Sequence, residues 1–140
     1  MDARRCISYF TIEHKGSIPV EFRPLIGDRI YGCDVCLEVC PWNRFAKISQ
    51  ETQLHARKSI FQNSLSDFAK MDVEGFQKTF AKSPIKRIKH NRFIRNVCVG
   101  LGNVGKAEDL EQLSILARSD DPLIAEHAQW AIQQIAARNL

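Results

Sequence analysis

The chain has 140 residues, with 20 Lys and Arg against 16 Asp and Glu, so its formal net charge is only +4. This length fits one domain or a small module joined to a helical one, and such a small charge means that nucleic-acid binding would have to depend on local clusters. No apolar run approaches the roughly 20 residues of a transmembrane helix, and the N-terminus does not have the basic-then-apolar form of a signal peptide, so we expect a cytoplasmic protein.

The segment from residue 1 to about residue 45 is predicted to form loops and short helices. It contains four of the five cysteines and three of the five prolines. Turn residues lie at both ends of the stretch that joins Cys6 to Cys33, with Pro19 and Pro24 between them. We therefore expect something other than a large apolar core to organise this segment.

From about Leu54 onward the pattern of apolar residues is helical. Leu65 and Phe68 begin one helix, and Asp72 is expected to cap the next. A third helix places an apolar face between Phe93 and Leu101, and Gly102 is expected to end it.

Two further amphipathic helices complete the predicted order. One carries Leu110 and Leu113 on a single stripe, and the last begins with Asp121 as its cap and Pro122 at its first position. Short helices separated by tight turns are typical of a HEAT-type repeat, of which about one and a half to two units would fit.

The sequence YGCDVCLEVCPWN contains the most specific motif of the chain, with Cys33, Cys36 and Cys40 in the spacing C-x2-C-x3-C-P. This spacing matches the end of the bacterial ferredoxin run C-x2-C-x2-C-x3-C-P, and Cys6 can supply the cysteine that is absent from its start. In a reducing cytosol, cysteines favour ligation over disulfides. The motif predicts a [4Fe–4S] site.

Two other interpretations of the cysteines stay open at this point. A zinc site would usually require a second C-x2-C pair or a Cys2His2 set, and the four histidines lack ligand spacing. A thioredoxin-like redox pair would require a βαβ context that the sequence does not show. Cys98 lies on the apolar face of a helix and is predicted to be a core residue.

The ferredoxin pattern also assigns the cysteines to different clusters. In two-cluster ferredoxins the cysteine before the proline ligates the other cluster. Cys6, Cys33 and Cys36 are therefore expected to bind one cluster and Cys40 a neighbouring one, with the remaining ligands outside these residues. The predicted fold is mainly α, with a partial ferredoxin-like iron–sulfur module at residues 1–50 and a helical HEAT-like RNA-binding region at residues 51–140.

Residues 2–46 closely resemble the second cluster-binding segment of the epoxyqueuosine reductase family. The stretches SPIKRIKHNRFIRNVCVGLGN and DDPLIAEHAQWAI resemble that family's C-terminal HEAT-like helices. The resemblance implies an oxidoreductase that reduces epoxyqueuosine to queuosine in tRNA, using cobalamin and two [4Fe–4S] clusters. The implied partners are tRNA and, because the sequence begins in the middle of the family pattern, the missing N-terminal half of the enzyme. The protein is expected to be a monomer. The 140 residues alone are expected to be inactive.

The same resemblance implies which residues contact cobalamin. Carried over by position, these are Ser8, Cys33 and Asp34, with Lys15 as a weaker candidate. The alternative roles are a turn or cap for Ser8 and Asp34, and a solvated charge for Lys15. No catalytic residue is assigned within this chain, because the family's catalytic acid lies upstream of the matching region.

The segment KSPIKRIKHNRFIR concentrates positive charge and contains no acidic residue. Its cations are predicted to bind tRNA phosphates and to position the RNA without reading bases, although such a run can also be a merely solvated face. The predicted contacts are Lys82, Lys86, Arg87, Lys89, Arg92 and Arg95.

Two other functions compete with the reductase. A HEAT-like RNA-binding or interaction module could carry a structural metal site and no catalysis. A ferredoxin-like electron carrier is the third candidate, which the HEAT-like half makes less favourable.

Overall fold

The computed structural model describes residues 2–51 and 58–138, and no β-strand occurs in these two ranges. The mainly α fold that the sequence predicts is therefore confirmed. Leu54, where the helical pattern was expected to begin, lies outside the described residues. The α-helices of the described ranges are α1 (Arg23–Ile26), α2 (Val35–Glu38), α3 (Lys58–Phe61), α4 (Leu65–Ala69), α5 (Val73–Thr79), α6 (Lys89–Val104), α7 (Leu110–Leu116) and α8 (Pro122–Arg138).

Tighter and wider helical turns connect these helices. A π-helical segment, Tyr9–Glu13, follows Cys6, and 3-10 turns lie at Ala3–Arg5, Val20–Phe22, Pro41–Phe45, Pro84–Ile88 and Ala107–Asp109. A π-helical turn is uncommon and often lies near a functional site. Here it directly precedes the loop of residues 14–19, in which the backbone carbonyls of His14 and Gly16 accept hydrogen bonds from Arg95 of α6.

Helix α6 is the centre of the fold. It packs against α1, α4, α5 and α8, and its residues from Phe93 to Gly102 are all buried. A helix that is buried on every side needs its polar groups to be bonded within the protein. The polar side chains of α6 meet this requirement by binding the N-terminal segment.

Gly102 does not end α6, which is a correction to the sequence prediction. The helix continues to Val104, and Gly105 follows it. A Cβ atom on Gly102 would lie 2.2 Å from Cζ3 of Trp130, so the glycine is required for close packing of α6 against α8. A single sequence does not distinguish a glycine that ends a helix from a glycine that allows two helices to pack closely.

Two predicted helix starts are confirmed. The Asp72 carboxylate accepts a hydrogen bond of 2.7 Å from the backbone N–H of Gly75, and the Asp121 carboxylate accepts one of 2.9 Å from Leu123. Each acidic side chain therefore satisfies an N–H group that the first helical turn leaves unpaired.

The N-terminal segment contributes to the apolar core, contrary to the expectation that such a core would not organise it. Phe10, Ile18 and Ile26 are at most 4% exposed and belong to the same cluster as the side chains of α6 and α8. Their irregular spacing, in a π-helical segment, a loop and a four-residue helix, gives no helical period to detect. Residues 34–39 and 41–51 are exposed.

Among the described helices, none combines the length and the apolarity needed to cross a membrane.

Candidate cysteine site and basic surface

Three of the predicted ligands lie around one cavity. Cys6 follows the first 3-10 turn, Cys33 lies in the loop before α2, and Cys36 lies within α2. The cavity has a volume of about 310 Å³ and will be called the cysteine cavity; its lining residues are Arg5, Cys6, Ile7, Ser8, Cys33, Asp34, Val35 and Cys36.

The backbone on both sides of Cys33 explains how the loop reaches Cys6. Gly32 and Asp34 both have left-handed backbone, with φ of 76° and 58°. Glycine and aspartate tolerate this region better than most residues. The Gly32 N–H donates to the Thr11 hydroxyl at 3.0 Å, and that hydroxyl donates to the Ile7 carbonyl at 2.9 Å. The Cys33 loop is thereby attached to the helical turn that follows Cys6.

Cys40 lies at a different place from the other three ligands. It lines a separate cleft with Leu37, Trp42 and Asn43. This arrangement agrees with the expectation that Cys40 serves a neighbouring cluster, which stays a prediction.

The spacing of the donors is relevant to the choice of metal. Within residues 2–51 and 58–138, no group of three or more His, Cys, Asp or Glu side chains is close enough to hold one metal ion. A tetrahedral zinc with Zn–S bonds of about 2.3 Å would hold its sulfur ligands only about 3.8 Å apart. A cubane cluster binds each thiolate to a different iron, so its ligands stand farther apart. The cysteine cavity offers three thiol donors, and soft sulfur donors suit an iron–sulfur cluster.

Cys98 is a core residue in α6. It is 0% exposed, and burial raises the pKa of its thiol to about 12. A thiol that keeps its proton is a poor ligand, because metals bind the thiolate. The predicted core role of Cys98 is confirmed.

The residues predicted to contact cobalamin separate into two places. Ser8, Cys33 and Asp34 line the cysteine cavity, whereas Lys15 lies elsewhere. A second cavity, of about 290 Å³, is lined by Lys15, Lys89, Asn91 and Arg92 and will be called the lysine cavity. The structure therefore groups Lys15 with the predicted RNA-binding cations.

Those cations differ in their exposure. Lys82, Lys86, Arg87 and Lys89 are exposed, Arg92 is half-buried and Arg95 is 0% exposed. Arg87 donates to the Glu13 carboxylate, an ion pair in which both side chains are largely exposed. Lys86 and Lys89 both line a groove of about 670 Å³ between α5, the start of α6 and the start of α8.

Arg95 has no surface with which to contact RNA, so its assignment as a phosphate contact is wrong. Its guanidinium donates to the backbone carbonyls of Phe10, His14 and Gly16 at 2.7–2.8 Å, and twice to the Asn96 side chain. These bonds use all five N–H donors of an arginine. Burial, with a smaller contribution from Arg92, lowers the pKa of Arg95 to about 10, so it stays charged at neutral pH.

Other polar residues of α6 have the same function, which the sequence did not reveal. The Asn96 amide donates to the carbonyls of Thr11 and Ile30, and the Asn103 amide donates to those of Arg23 and Gly27, all at 2.8–2.9 Å. Asn96 and Asn103 lie seven positions apart in a helix whose neighbours are apolar, and this spacing could have indicated a buried polar stripe.

Helix α8 holds the same segment from its other side. The His127 ring donates to the Leu123 carbonyl and accepts the Ile18 N–H at 3.2 Å, while Arg23 binds Glu126 and lies over the Trp130 ring at 5.6 Å. Burial lowers the pKa of His127 to about 4, so the ring is neutral at physiological pH.

The fold and the cysteine site define a mainly helical protein with an iron–sulfur motif, and residues 1–43 match the family model of a 4Fe-4S double cluster binding domain. The chain is similar to the epoxyqueuosine reductase of Salmonella typhimurium and to that of Escherichia coli. It is 45% identical to each over 140 residues, which is 99% of this chain but 36% and 37% of those proteins.

Solved structures give the same result. A crystal structure of epoxyqueuosine reductase with a tRNA-Tyr epoxyqueuosine-modified tRNA stem loop is similar with a TM-score of 0.87 and 32% identity, over 96% of this chain and 36% of that one. The Streptococcus thermophilus enzyme gives 0.85 and 29%, over 98% and 36%. The chain spans about a third of the length of the curated relatives it matches. The resemblance to epoxyqueuosine reductases is confirmed.

Proposed function

We propose that this chain is the cluster-bearing and RNA-binding part of an epoxyqueuosine reductase, an oxidoreductase that reduces epoxyqueuosine to queuosine in tRNA. The observation that carries this proposal is the convergence of Cys6, Cys33 and Cys36 on one cavity, in a chain 45% identical to such enzymes over nearly its whole length. The chain would act in the cytoplasm as part of a monomeric enzyme.

In this proposal, Cys6, Cys33 and Cys36 hold one [4Fe–4S] cluster, and Cys40 supplies a ligand to a second. Four thiolates are the usual donor set of such a cluster, so each cluster needs further cysteines from protein beyond these 140 residues. The corrin-binding region and a catalytic acid would also lie there. The 140 residues alone are therefore not expected to turn over substrate.

Cobalamin is the second proposed cofactor, and we assign its contacts to Ser8 and Asp34, which line the same cavity as Cys33. When bound, the clusters supply one-electron transfer and the corrin supplies a reducing cobalt centre, which is the chemistry needed to remove an epoxide oxygen. The residues of this chain contribute by binding and by excluding water. Ile7 and Val35 are the apolar side chains of the cavity wall.

RNA binding is assigned to the exposed cations Lys82, Lys86, Arg87 and Lys89, with the half-buried Arg92 at their edge. Lysine and arginine bind phosphate through charge and position the backbone without reading bases. The HEAT-like arrangement proposed for the helical half would present this surface to the stem of the tRNA.

The test is anaerobic reconstitution of the full 140-residue chain with iron and sulfide in the presence of a small thiol, which can occupy the fourth ligand position. We expect about four irons per chain and a broad blue absorption that dithionite bleaches. Cys33→Ser and Cys36→Ser should lose most of this iron and absorption.

Cys98→Ser is the matched control, because Cys98 is a cysteine outside the cavity. It should keep its iron while lowering the free energy of unfolding by about 1–3 kcal/mol through a buried hydroxyl. A colourless chain with stoichiometric zinc would contradict the proposal and favour a module with a structural metal site. Equal iron in the parent and the Cys33→Ser variant would contradict the ligand assignment.

A further inference from the structure

The lysine cavity unites two distant segments of the chain. Lys15 comes from the loop after the π-helical segment, and Lys89, Asn91 and Arg92 come from the start of α6. Three of its four lining side chains are cationic, and none is a carboxylate. Like charges that converge on one cavity repel one another, so this arrangement favours an anionic ligand.

The guanidinium of Arg92, which lines this cavity, is held by backbone carbonyls. It donates to the carbonyls of Ile88 at 2.8 Å, Ile12 at 3.0 Å and Arg87 at 3.2 Å, with a weaker bond to Glu13 at 3.5 Å. Because an arginine has five N–H donors, these four bonds leave one for a ligand. Arg95, by contrast, has none left. Arg92 is therefore a pre-oriented donor and not a freely moving charge.

The neighbouring carboxylates are each bonded to a side chain of the protein. Glu13 accepts from Arg87, and Asp121 accepts from the Asn91 amide at 3.1 Å. In residues 2–51 and 58–138, neither the Lys15 nor the Lys89 ammonium group has a hydrogen bond or an ion pair, and both side chains are exposed. Their ammonium groups are thus available to a ligand. The positive end of the α6 dipole, next to Lys89, adds to the same field.

We propose that the lysine cavity binds one phosphate group of the RNA backbone, with Lys15 and Lys89 as its two mobile cations and Arg92 as its fixed donor. This inference rests on the proposed RNA-binding function and deepens it, because it assigns a specific phosphate subsite and includes a residue from the N-terminal segment. Lys15 thereby belongs to the RNA surface and not to the cobalamin site. The subsite would tie the cluster-bearing segment to the position of the RNA.

The experiment measures binding of a fluorescent tRNA anticodon stem-loop to the full chain at several salt concentrations. The variants are Lys15→Gln, Lys89→Gln and the double variant, with Lys78→Gln as the control, because Lys78 is an exposed lysine of α5 outside both cavities. Thermal melts of each variant establish that the fold is retained.

If both lysines hold one phosphate, each single variant should weaken binding roughly tenfold at low salt. In the double variant, the magnitude of the slope of log affinity against log salt should fall by roughly 0.7–0.9. This is the value expected when one phosphate contact is lost, and the loss of two contacts would double it. The double variant's loss of affinity should be smaller than the sum of the single losses, because the two lysines share a ligand. Lys78→Gln should leave both quantities unchanged.

Other phosphate sources are separate arms of the same experiment. Inorganic phosphate and hydroxocobalamin are titrated against the parent and the Lys15→Gln variant. If Lys15→Gln weakens cobalamin binding and leaves RNA binding unchanged, the inference is overturned and Lys15 returns to the cobalamin site. RNA binding that depends on Lys86 but not on Lys15 or Lys89 overturns the inference while the proposed RNA-binding function stands. A parent chain with no salt-dependent RNA binding overturns both.

Discussion

Residues 7–32 and residues 33–51 are adjacent in sequence, but they differ in the hydrogen bonds that connect them to the rest of the protein. In the first region, the Arg95, Asn96 and Asn103 side chains of α6 bind seven backbone carbonyls. In the second, the described hydrogen bonds of residues 33–46 join residues at most four positions apart. The first region is part of the helical core, whereas the second has little of the protein to support it.

Apolar exposure shows the same difference. Leu37, Val39, Trp42 and Phe45 are 60–78% exposed, whereas Phe10, Ile18 and Ile26 are buried. Exposed apolar side chains in such number are typical of surfaces that contact another protein or domain. We expect the order of this segment to depend on a bound cofactor and on neighbouring protein, because binding free energy would then replace core packing. Three experiments test this comparison, in order of decreasing effect.

The largest effect is expected for Arg95→Met, which removes the charge and keeps the bulk. The carbonyls of Phe10, His14 and Gly16 would lose their donor, and each unsatisfied buried group costs roughly 1–3 kcal/mol. We expect the free energy of unfolding to fall by about 3–5 kcal/mol, measured by urea denaturation. Arg87→Met is the control, because the exposed Arg87–Glu13 pair contributes about 1 kcal/mol at most. Equal losses in the two variants would mean that α6 does not hold the N-terminal segment.

The second effect is a loss of stability in acid that depends on His127. Burial lowers its pKa in the folded protein to about 4, from an ordinary value of 6.5, so the unfolded chain binds the proton more readily. The contribution of neutral His127 to the free energy of unfolding is fully present above pH 6.5. It is lost as the pH falls toward 4, and the total loss is about 3 kcal/mol. Protonation also prevents the ring from accepting the Ile18 N–H. The protection factor of the Ile18 amide, which corrects for the slower intrinsic exchange in acid, should therefore fall over this range.

The control for this prediction is His127→Gln, which cannot titrate and should flatten the stability profile between pH 6.5 and 4. Glu126, whose lowered pKa reflects hydrogen bonds from Ser17 and Arg23 that outweigh its burial, adds a loss only below its ordinary value of 4.5. An unchanged slope between pH 6.5 and 5 in the variant would contradict the role of His127.

The smallest effect is expected in residues 33–51. Leu37→Ser replaces an exposed side chain and should change the unfolding free energy of the cluster-free chain by no more than about 0.5 kcal/mol. Leu113→Ala, at a position with 0% exposure, should cost about 2–5 kcal/mol. If Leu37→Ser destabilises as much as Leu113→Ala, residues 33–51 are held by the core and the comparison fails.

Features that depend on local spacing could be predicted from the sequence. The C-x2-C-x3-C-P motif, the caps at Asp72 and Asp121, and the burial of Cys98 could all be predicted, because each follows from a short pattern whose partners lie within one helix or loop. The mainly helical fold could be predicted from the helical period of the apolar residues, whereas the resemblance to epoxyqueuosine reductases rests on a likeness over nearly the whole chain.

Which polar residues face inward depends on contacts between segments that are distant in sequence. One basic run contains Arg92, Arg95 and the exposed lysines. Arg95 nevertheless donates its hydrogen bonds to backbone carbonyls some 80 positions away. Lys15 and Lys89, separated by a similar number of positions, line the same cavity. The packing role of Gly102 could not be predicted from the sequence, because its packing partner, Trp130, lies in another helix. A charge or a glycine has the same letter in a solvated turn and in a core, and its role is set by the groups that the fold places against it.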